Sequence, residues 1–250
     1  MTDPKGAGDW RDRIRAVARD WLFSDVGEAG IPERVLLPFE NPYLHNHAAF
    51  IAAFTDRCEH RCISIGTHRG RRIGILKSVL GAPAVAMTVD LLADFGVNTI
   101  VGVGFCGGLR TNLDSGDLLL PVACVREDGT GSQYVEPMYP AVADLAVLDG
   151  LRNALRATQC RWRTGLVWST DAVLLETSAR VAYWAARGVD GVDMECATLY
   201  TVARLRSMRS AAVLVASDNA AALRAADGDM LSSGLRSAIG AALESLATID

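Results

Sequence analysis

The stretch Gly81–Gly108, GAPAVAMTVDLLADFGVNTIVGVGFCGG, restricts the possible folds more than any other part of the chain. It reads as a loop, a helix, a strand and a glycine-rich turn. Pro83 falls in a first helical turn, where a missing N–H costs nothing. Val85, Val89, Leu92 and Phe95 recur at helical spacing. Gly96 is the expected stop, because glycine tolerates the left-handed conformation just past a helix end. Thr99–Val103 is a short, β-branched run with the character of a buried strand. Gly104, Gly107 and Gly108 then predict a turn that lets the backbone approach something closely. Helix-then-buried-strand is the grammar of an α/β sheet, and in open α/β sheets ligands sit at the carboxyl ends of strands.

The remaining chain keeps this alternation. Asp9–Phe23 is amphipathic, with Trp10, Ile14, Val17, Ala18, Trp21 and Leu22 on one face, and is expected to cover a pocket or an interface. Strands are predicted at Arg34–Leu37, Cys62–Ile65, Arg72–Leu80, Asp117–Cys124, Arg163–Trp168, Gly191–Met194 and Ala211–Ser217. Helices are predicted at His45–Phe54, Ala141–Thr158, Thr177–Ala186, Glu195–Ser207 and Gly228–Leu246. The pattern implies an α/β fold with one central, mixed sheet flanked by helices. Residues 1–32 read as an N-terminal helical extension and 33–250 as the α/β domain.

Composition narrows the function classes. A chain of 250 residues, 50% hydrophobic, can bury one large core. A net charge of -4 gives no basic field for nucleic acid. No apolar run reaches the length of a bilayer span, and the charged N-terminus lacks the apolar centre of a signal peptide. The expectation is a cytoplasmic protein without nucleic-acid or membrane partners. Cysteines 58, 62, 106, 124, 160 and 196 form no CxxC pair, and the histidines make no metal pattern with them. Reduced thiols and no metal are expected.

Polar residues gather at four strand ends: Glu40; Gly104-Phe105-Cys106-Gly107; Asp193-Met194-Glu195; and Ser217-Asp218-Asn219. Strands that end on one side of a sheet bring such residues together whatever their separation in sequence. Glu195 opens a helix, so it can serve as a helix-dipole partner. It can equally accept from two neighbouring hydroxyls, which the two oxygens of a carboxylate suit. Asp218 follows an apolar run, where an N-cap or Asx-turn role is common. Its other reading is a general acid in a semi-buried pocket.

The ordered segments Gly81–Leu109, Asn112–Gly129, Tyr139–Asp144, Ser169–Val173, Gly191–Tyr200 and Val215–Ala220 together resemble the nucleoside phosphorylase-I superfamily. That superfamily includes hexameric-type purine nucleoside phosphorylases, uridine phosphorylases and methylthioadenosine-type nucleosidases. The resemblance covers Arg34 to Leu246. It implies a single domain whose mixed sheet closes partly into a barrel, and homo-oligomers built from dimers. It also implies cleavage of a nucleoside N-glycosidic bond through an oxocarbenium-like transition state, with no cofactor. Met194 and Glu195 match the ribose-holding Met-Glu, preceded by Asp193. Asp218, between Ser217 and Asn219, matches the aspartate that assists a departing purine, a residue uridine phosphorylases usually lack. Phe105, Cys106 and Gly107 match the turn between base and sugar.

The departures concern the attacking group. Phosphorylases carry a Gly-Asp-Pro-x-x-Arg-like loop after the first strand, where this chain reads Pro38-Phe39-Glu40-Asn41-Pro42-Tyr43. Their glycine-rich turn begins Arg-x-Gly-Ser or Arg-x-Gly-Thr, where this chain reads Gly102-Val103-Gly104-Phe105. Phosphate needs charge-assisted donors, each worth roughly 1.5–3 kcal/mol. Both arginines are gone and Glu40 would repel the anion. The nucleosidase branch also lacks them and has a glutamate near the first strand end that activates water, the role expected of Glu40. Arg57, Arg61 or His45 are the residues able to rebuild a phosphate site for a phosphorylase that takes phosphate as co-substrate. The uridine phosphorylase Gln and Arg that read the pyrimidine have no counterpart in Val173–Thr177, whereas Val125–Gly129 and Tyr139–Asp144 are similar to the uridine phosphorylases. The expectation is a nucleosidase acting on a purine or purine-like nucleoside. The alternatives are a phosphorylase with a rebuilt anion site, or a silent family member that only binds nucleosides.

Overall fold

A computed structural model of the chain describes residues 10–27, 30–40, 47–221 and 227–249. After helix α1 (Trp10–Phe23), strand β1 (Arg34–Phe39) leads to α2 (His47–Ile51). An antiparallel run follows: β2 (Thr55–Glu59), β3 (Ile63–His68) and β4 (Arg71–Leu76). Helix α3 (Ala82–Leu92) then feeds β5 (Thr99–Gly108). The second half comprises β6 (Leu118–Glu127), α4 (Gly131–Tyr134), β7 (Ala141–Val142), α5 (Leu145–Arg156) and β8 (Trp162–Thr170). It ends with α6 (Ser178–Ala185), β9 (Val189–Asp193), α7 (Cys196–Leu205), β10 (Arg209–Asn219) and α8 (Gly228–Thr248).

Strand β5 is the hub. It pairs in parallel with β1 on one side and with β10 on the other, and its last residues pair antiparallel with β9. From β10 the ladder continues through β6 and β8 back to β9. Five strands therefore close into a barrel, which leaves them no free edge. The sheet extends from β1 through β4 and β3 to β2. This is the mixed, partly closed sheet that the sequence resemblance implies. Helices α3 and α7 pack together on one face and α5 with α8 on the other. Each face buries its own apolar cluster, built around Val89, Leu92 and Leu199 on one side and Leu151, Leu235 and Leu246 on the other.

The expected helix, stop and strand over Gly81–Val103 are present. Gly96 closes the helical segment in the left-handed conformation, with φ 79°. The expected turn at Gly104–Gly108 is instead the second half of β5. The glycines there accommodate a neighbour rather than a chain reversal: a Cβ on Gly104 would lie 2.5 Å from the Phe39 Cβ and 2.7 Å from its carbonyl oxygen. The predicted helix from Ala141 begins only at Leu145, because Ala141–Val142 pair with β6 and Asp144 caps the helix by accepting from the Ala146 and Val147 N–H groups. Strand β2, exposed along its length, carries no hydrophobic alternation and escapes periodicity.

Helix α1 meets α3 through Arg15, which donates to the Asp90 carbonyl at 2.6 Å and binds both carboxylate oxygens of Asp94, in the 3-10 turn after α3, at 2.6 Å. Phe23 packs edge-on against Phe95, and Phe23, Val26 and Ile31 belong to the core. Ala18 and Leu22 pack against that core, but Trp10, Ile14, Val17 and Trp21 of the same apolar face are exposed. Among the described residues, no helix is long and apolar enough to cross a membrane, and no group of three or more His, Cys, Asp or Glu could hold a metal ion.

Candidate active site

The carboxyl ends of β1, β5, β9 and β10 converge on one cavity of about 780 Å³. That volume lies within the range usual for small-molecule sites, about 300–1,000 Å³. Helix α8 and the segment between β8 and α6 complete the wall with Leu231, Leu235, Arg236, Val173 and Glu176.

Asp193 and Glu195 bracket Met194 where β9 turns into α7. Asp193 is buried, and its carboxylate accepts from the Ser169 hydroxyl at 2.5 Å and from the Cys196 N–H at 2.8 Å. Ser169 also accepts from the Ala197 N–H. The first N–H groups of α7 are thus satisfied by Asp193 and Ser169, and Glu195, the N-cap residue, makes no side-chain capping bond. Glu195 turns away from the helix: one oxygen accepts from the Gly81 N–H at 2.7 Å, the other from the Met194 N–H at 3.1 Å. Gly81 itself has φ +80°, a conformation that keeps its N–H available there and favours glycine. Burial, reinforced by the charge of Asp193, pushes the Glu195 carboxyl up to about 8. Burial likewise raises Asp193.

Asp218 owes its place to a bulge. The β10–β5 register runs Ala216↔Cys106 and then Asp218↔Gly107, so Ser217 is the extra residue. A bulge re-aims the side chains beside it. Asp218 is half-buried, and its carboxylate accepts from the Ser217 hydroxyl at 2.5 Å. A Cβ on Gly107 would come within 3.7 Å of the same oxygen. Phe105, Cys106 and Gly107 line the wall between Asp218 and Glu195. Burial raises the Cys106 thiol far above its ordinary range, with Asp193 and Asp218 adding to the effect. Glu40 lines the same cavity, 3% exposed, and its backbone carbonyl accepts from the Ser78 hydroxyl.

Among the candidate residues, Asn219 is the one set apart. Its side-chain amide donates to the carbonyls of Arg110 and Leu113 at 2.8 and 2.6 Å, fixing the loop after β5, and it is absent from the cavity wall. The residues considered for a rebuilt anion site are also elsewhere. Arg57 pairs with Glu59 on the exposed strand β2, and Arg61 donates to the Trp21 carbonyl beneath α1. His45 lies outside the described residues. Arg236 joined the cavity without a sequence signal of its own, and Glu176 lies in the Val173–Thr177 segment compared above with the base-reading segment of uridine phosphorylases but was not among the candidates. Glu176 is six residues past the end of β8 and Arg236 is mid-helix, and neither position reads as a strand end. The trace available was one carboxylate closing the apolar run Val173-Leu174-Leu175.

Residues 37–246 match the model of the phosphorylase superfamily. The chain belongs to the phosphorylase superfamily. Among its curated relatives are a uridine phosphorylase of Thermococcus kodakarensis, 33% identical over 161 residues, and a guanosine phosphorylase of Halorubrum lacusprofundi, 29% identical over 153 residues. The matched stretches cover 59% and 61% of this chain and 58% and 64% of those relatives, less than two thirds of their lengths. Among solved structures, a uridine phosphorylase of Vibrio fischeri superposes with a TM-score of 0.78 at 25% identity, covering 87% of this chain and 92% of that one. In this superfamily member, then, the closed barrel is part of the shared fold.

Proposed function

We propose that this protein cleaves the N-glycosidic bond of a nucleoside, that the base is purine-like, and that water is the preferred acceptor. Glu195 and the adjoining Met194 would hold the ribose, with the carboxylate accepting from neighbouring hydroxyls. Asp218 would support the departing base, and Glu40 would activate the water. The observation that carries the choice of acceptor is the make-up of the cavity wall, rich in carboxyl groups and poor in cationic donors. Glu40, Glu176, Asp193, Glu195 and Asp218 line it, and Arg236 is the one cation among the described lining residues. Phosphate binding relies on charge-assisted donors, and a carboxyl-rich wall disfavours it.

Phosphorolysis is the second reading, favoured by the names of the curated relatives, which are uridine, guanosine and purine nucleoside phosphorylases. Base release from a panel of purine and pyrimidine nucleosides, with and without phosphate, separates the two. Free sugar at a phosphate-independent rate is the expected result. Sugar-1-phosphate formed only with phosphate would establish the second reading, and binding without base release would make the protein a nucleoside binder.

A further inference from the structure

Helix α1 lies outside residues 37–246, the part of the chain that matches the superfamily. One side of it is docked: Arg15 binds Asp90 and Asp94, and Ala18 and Leu22 pack against the core. Trp10, Ile14, Val17 and Trp21 project about 100° around the helix from that side, and are 71%, 52%, 70% and 65% exposed. They follow one another at intervals of 4, 3 and 4 residues. Turned at 100° per residue, they fall within about 60° of one another. A stripe that settles on a globular core spans about 100° or more, whereas a narrow seam at this spacing is that of a coiled coil. In heptad terms Ile14 and Trp21 are a positions and Trp10 and Val17 are d positions. Arg13 and Asp20 are then both g positions, and both are exposed beside the seam. Asp20 at the border also opposes an anionic lipid surface, which calls for basic flanks.

We propose that α1 pairs antiparallel with α1 of a second copy of this chain, about a two-fold axis across the helix. The antiparallel sense follows from the charges. With the helices antiparallel, a faces d and g faces g, so Ile14 meets Val17 of the second copy and Trp10 meets its Trp21. Arg13 then meets Asp20 of the second copy, and the two-fold axis makes that ion pair twice. With the helices parallel, g faces e, and Arg13 would meet Ala18 instead. The area is adequate as well. Tryptophan offers up to about 250 Å², so the seam presents about 500 Å² per copy and about 1,000 Å² across the pair, the size a specific interface needs. The pairing is independent of the reaction at the cavity, and it uses an element that lies outside the matched domain.

The test is sedimentation of the full chain over a dilution series at low ionic strength. Val17→Asp places a charge in the seam and should halve the mass of the wild-type particle. Arg13→Asp and Asp20→Arg, both at exposed positions, should each raise the concentration at which the particle dissociates by about 10-fold, because both g pairs become like-charged. An equimolar mixture of these two variants should regain the wild-type dissociation concentration, since every facing g pair in the mixed particle is again oppositely charged. Raising the salt should shrink both the loss and the rescue. An unchanged mass for Val17→Asp overturns the pairing, and single variants that weaken it without rescue on mixing overturn the antiparallel register. A monomeric wild type that co-sediments with phosphatidylserine vesicles, and loses this with Val17→Asp, makes α1 a lipid-surface helix and overturns the proposal too.

Discussion

Asp218 and Glu195 are carboxyl groups on one cavity, and their surroundings differ. Asp218 is half-buried at a bulge and takes a hydrogen bond from Ser217, which leaves an oxygen for a ligand. If it assists the leaving base, Asp218→Asn should lower kcat at least about 100-fold on natural nucleosides. The same change should be nearly silent on 4-nitrophenyl riboside, whose leaving group needs no proton; an equal loss on both substrates would assign Asp218 to binding. Glu195 is buried among backbone donors and its carboxyl is raised to about 8. A carboxyl whose folded pKa lies above its unfolded value favours folding most at low pH, and that contribution is lost as pH rises through the folded value. Glu195→Gln removes this term. The Tm of the variant minus that of the wild type should therefore become more positive from about pH 5 to about pH 8, measured by calorimetry in matched buffers. If Glu195 holds the ribose, the same substitution should raise KM for every ribonucleoside alike. A Tm difference that is flat across that pH range would place the titration elsewhere.

At the scale of elements, β5 separates what periodicity could read from what it could not. Its apolar half, Thr99–Val103, was legible from β-branched residues alone. Its glycine half reads as a turn, because glycine's freedom is visible in a sequence while the neighbour that requires it is not. That neighbour is Phe39, whose side chain fills the space above Gly102 and Gly104. Gly104→Ala should cost about 1–3 kcal/mol as overpacking, a drop of roughly 2–12 °C in Tm for a chain of this size. Gly240, exposed within α8 with nothing within 4 Å of an added Cβ, should respond in the opposite direction. Gly240→Ala is expected to stabilise by about 0.5–1 kcal/mol through helix propensity and a less flexible unfolded chain. Denaturant melts of the two variants side by side check both signs. The site shows the same division. Glu40, Asp193, Glu195 and Asp218 could be found because strand ends follow from apolar runs. Glu176 could not, since its place depends on how a loop folds back over the barrel, and Asn219 was included because adjacency in sequence hides the bulge that turns neighbours different ways. In α1 the periodicity found the helix, and Trp10 and Val17 of its apolar face are exposed in the single chain.

At the scale of the whole molecule, the question is which nucleophile the assembled cavity admits. The barrel gathers carboxyl groups from β1, β9, β10 and the α6 approach onto one wall, in a chain whose net charge is already -4. Clefts lined by one sign of charge focus the field and change the local concentration of small ions accordingly. On the proposed reading this wall offers phosphate few charge-assisted donors, whereas a neutral nucleoside and water need none. Glu40 is the carboxylate that β1 delivers to this cavity, and it is buried. General-base activation of water contributes about 10²–10⁴-fold. Glu40→Gln should therefore slow phosphate-independent base release by about that factor while leaving nucleoside binding within a few-fold. If phosphate is the true acceptor, neutralising Glu40 removes a repulsive charge instead. Phosphate-dependent formation of sugar-1-phosphate should then rise in the variant, with a lower KM for phosphate at low ionic strength, where unscreened charge matters most. A single kinetic series on wild type and Glu40→Gln, with phosphate varied and both sugar products quantified, tells the two apart, because the same substitution moves the two reactions in opposite directions.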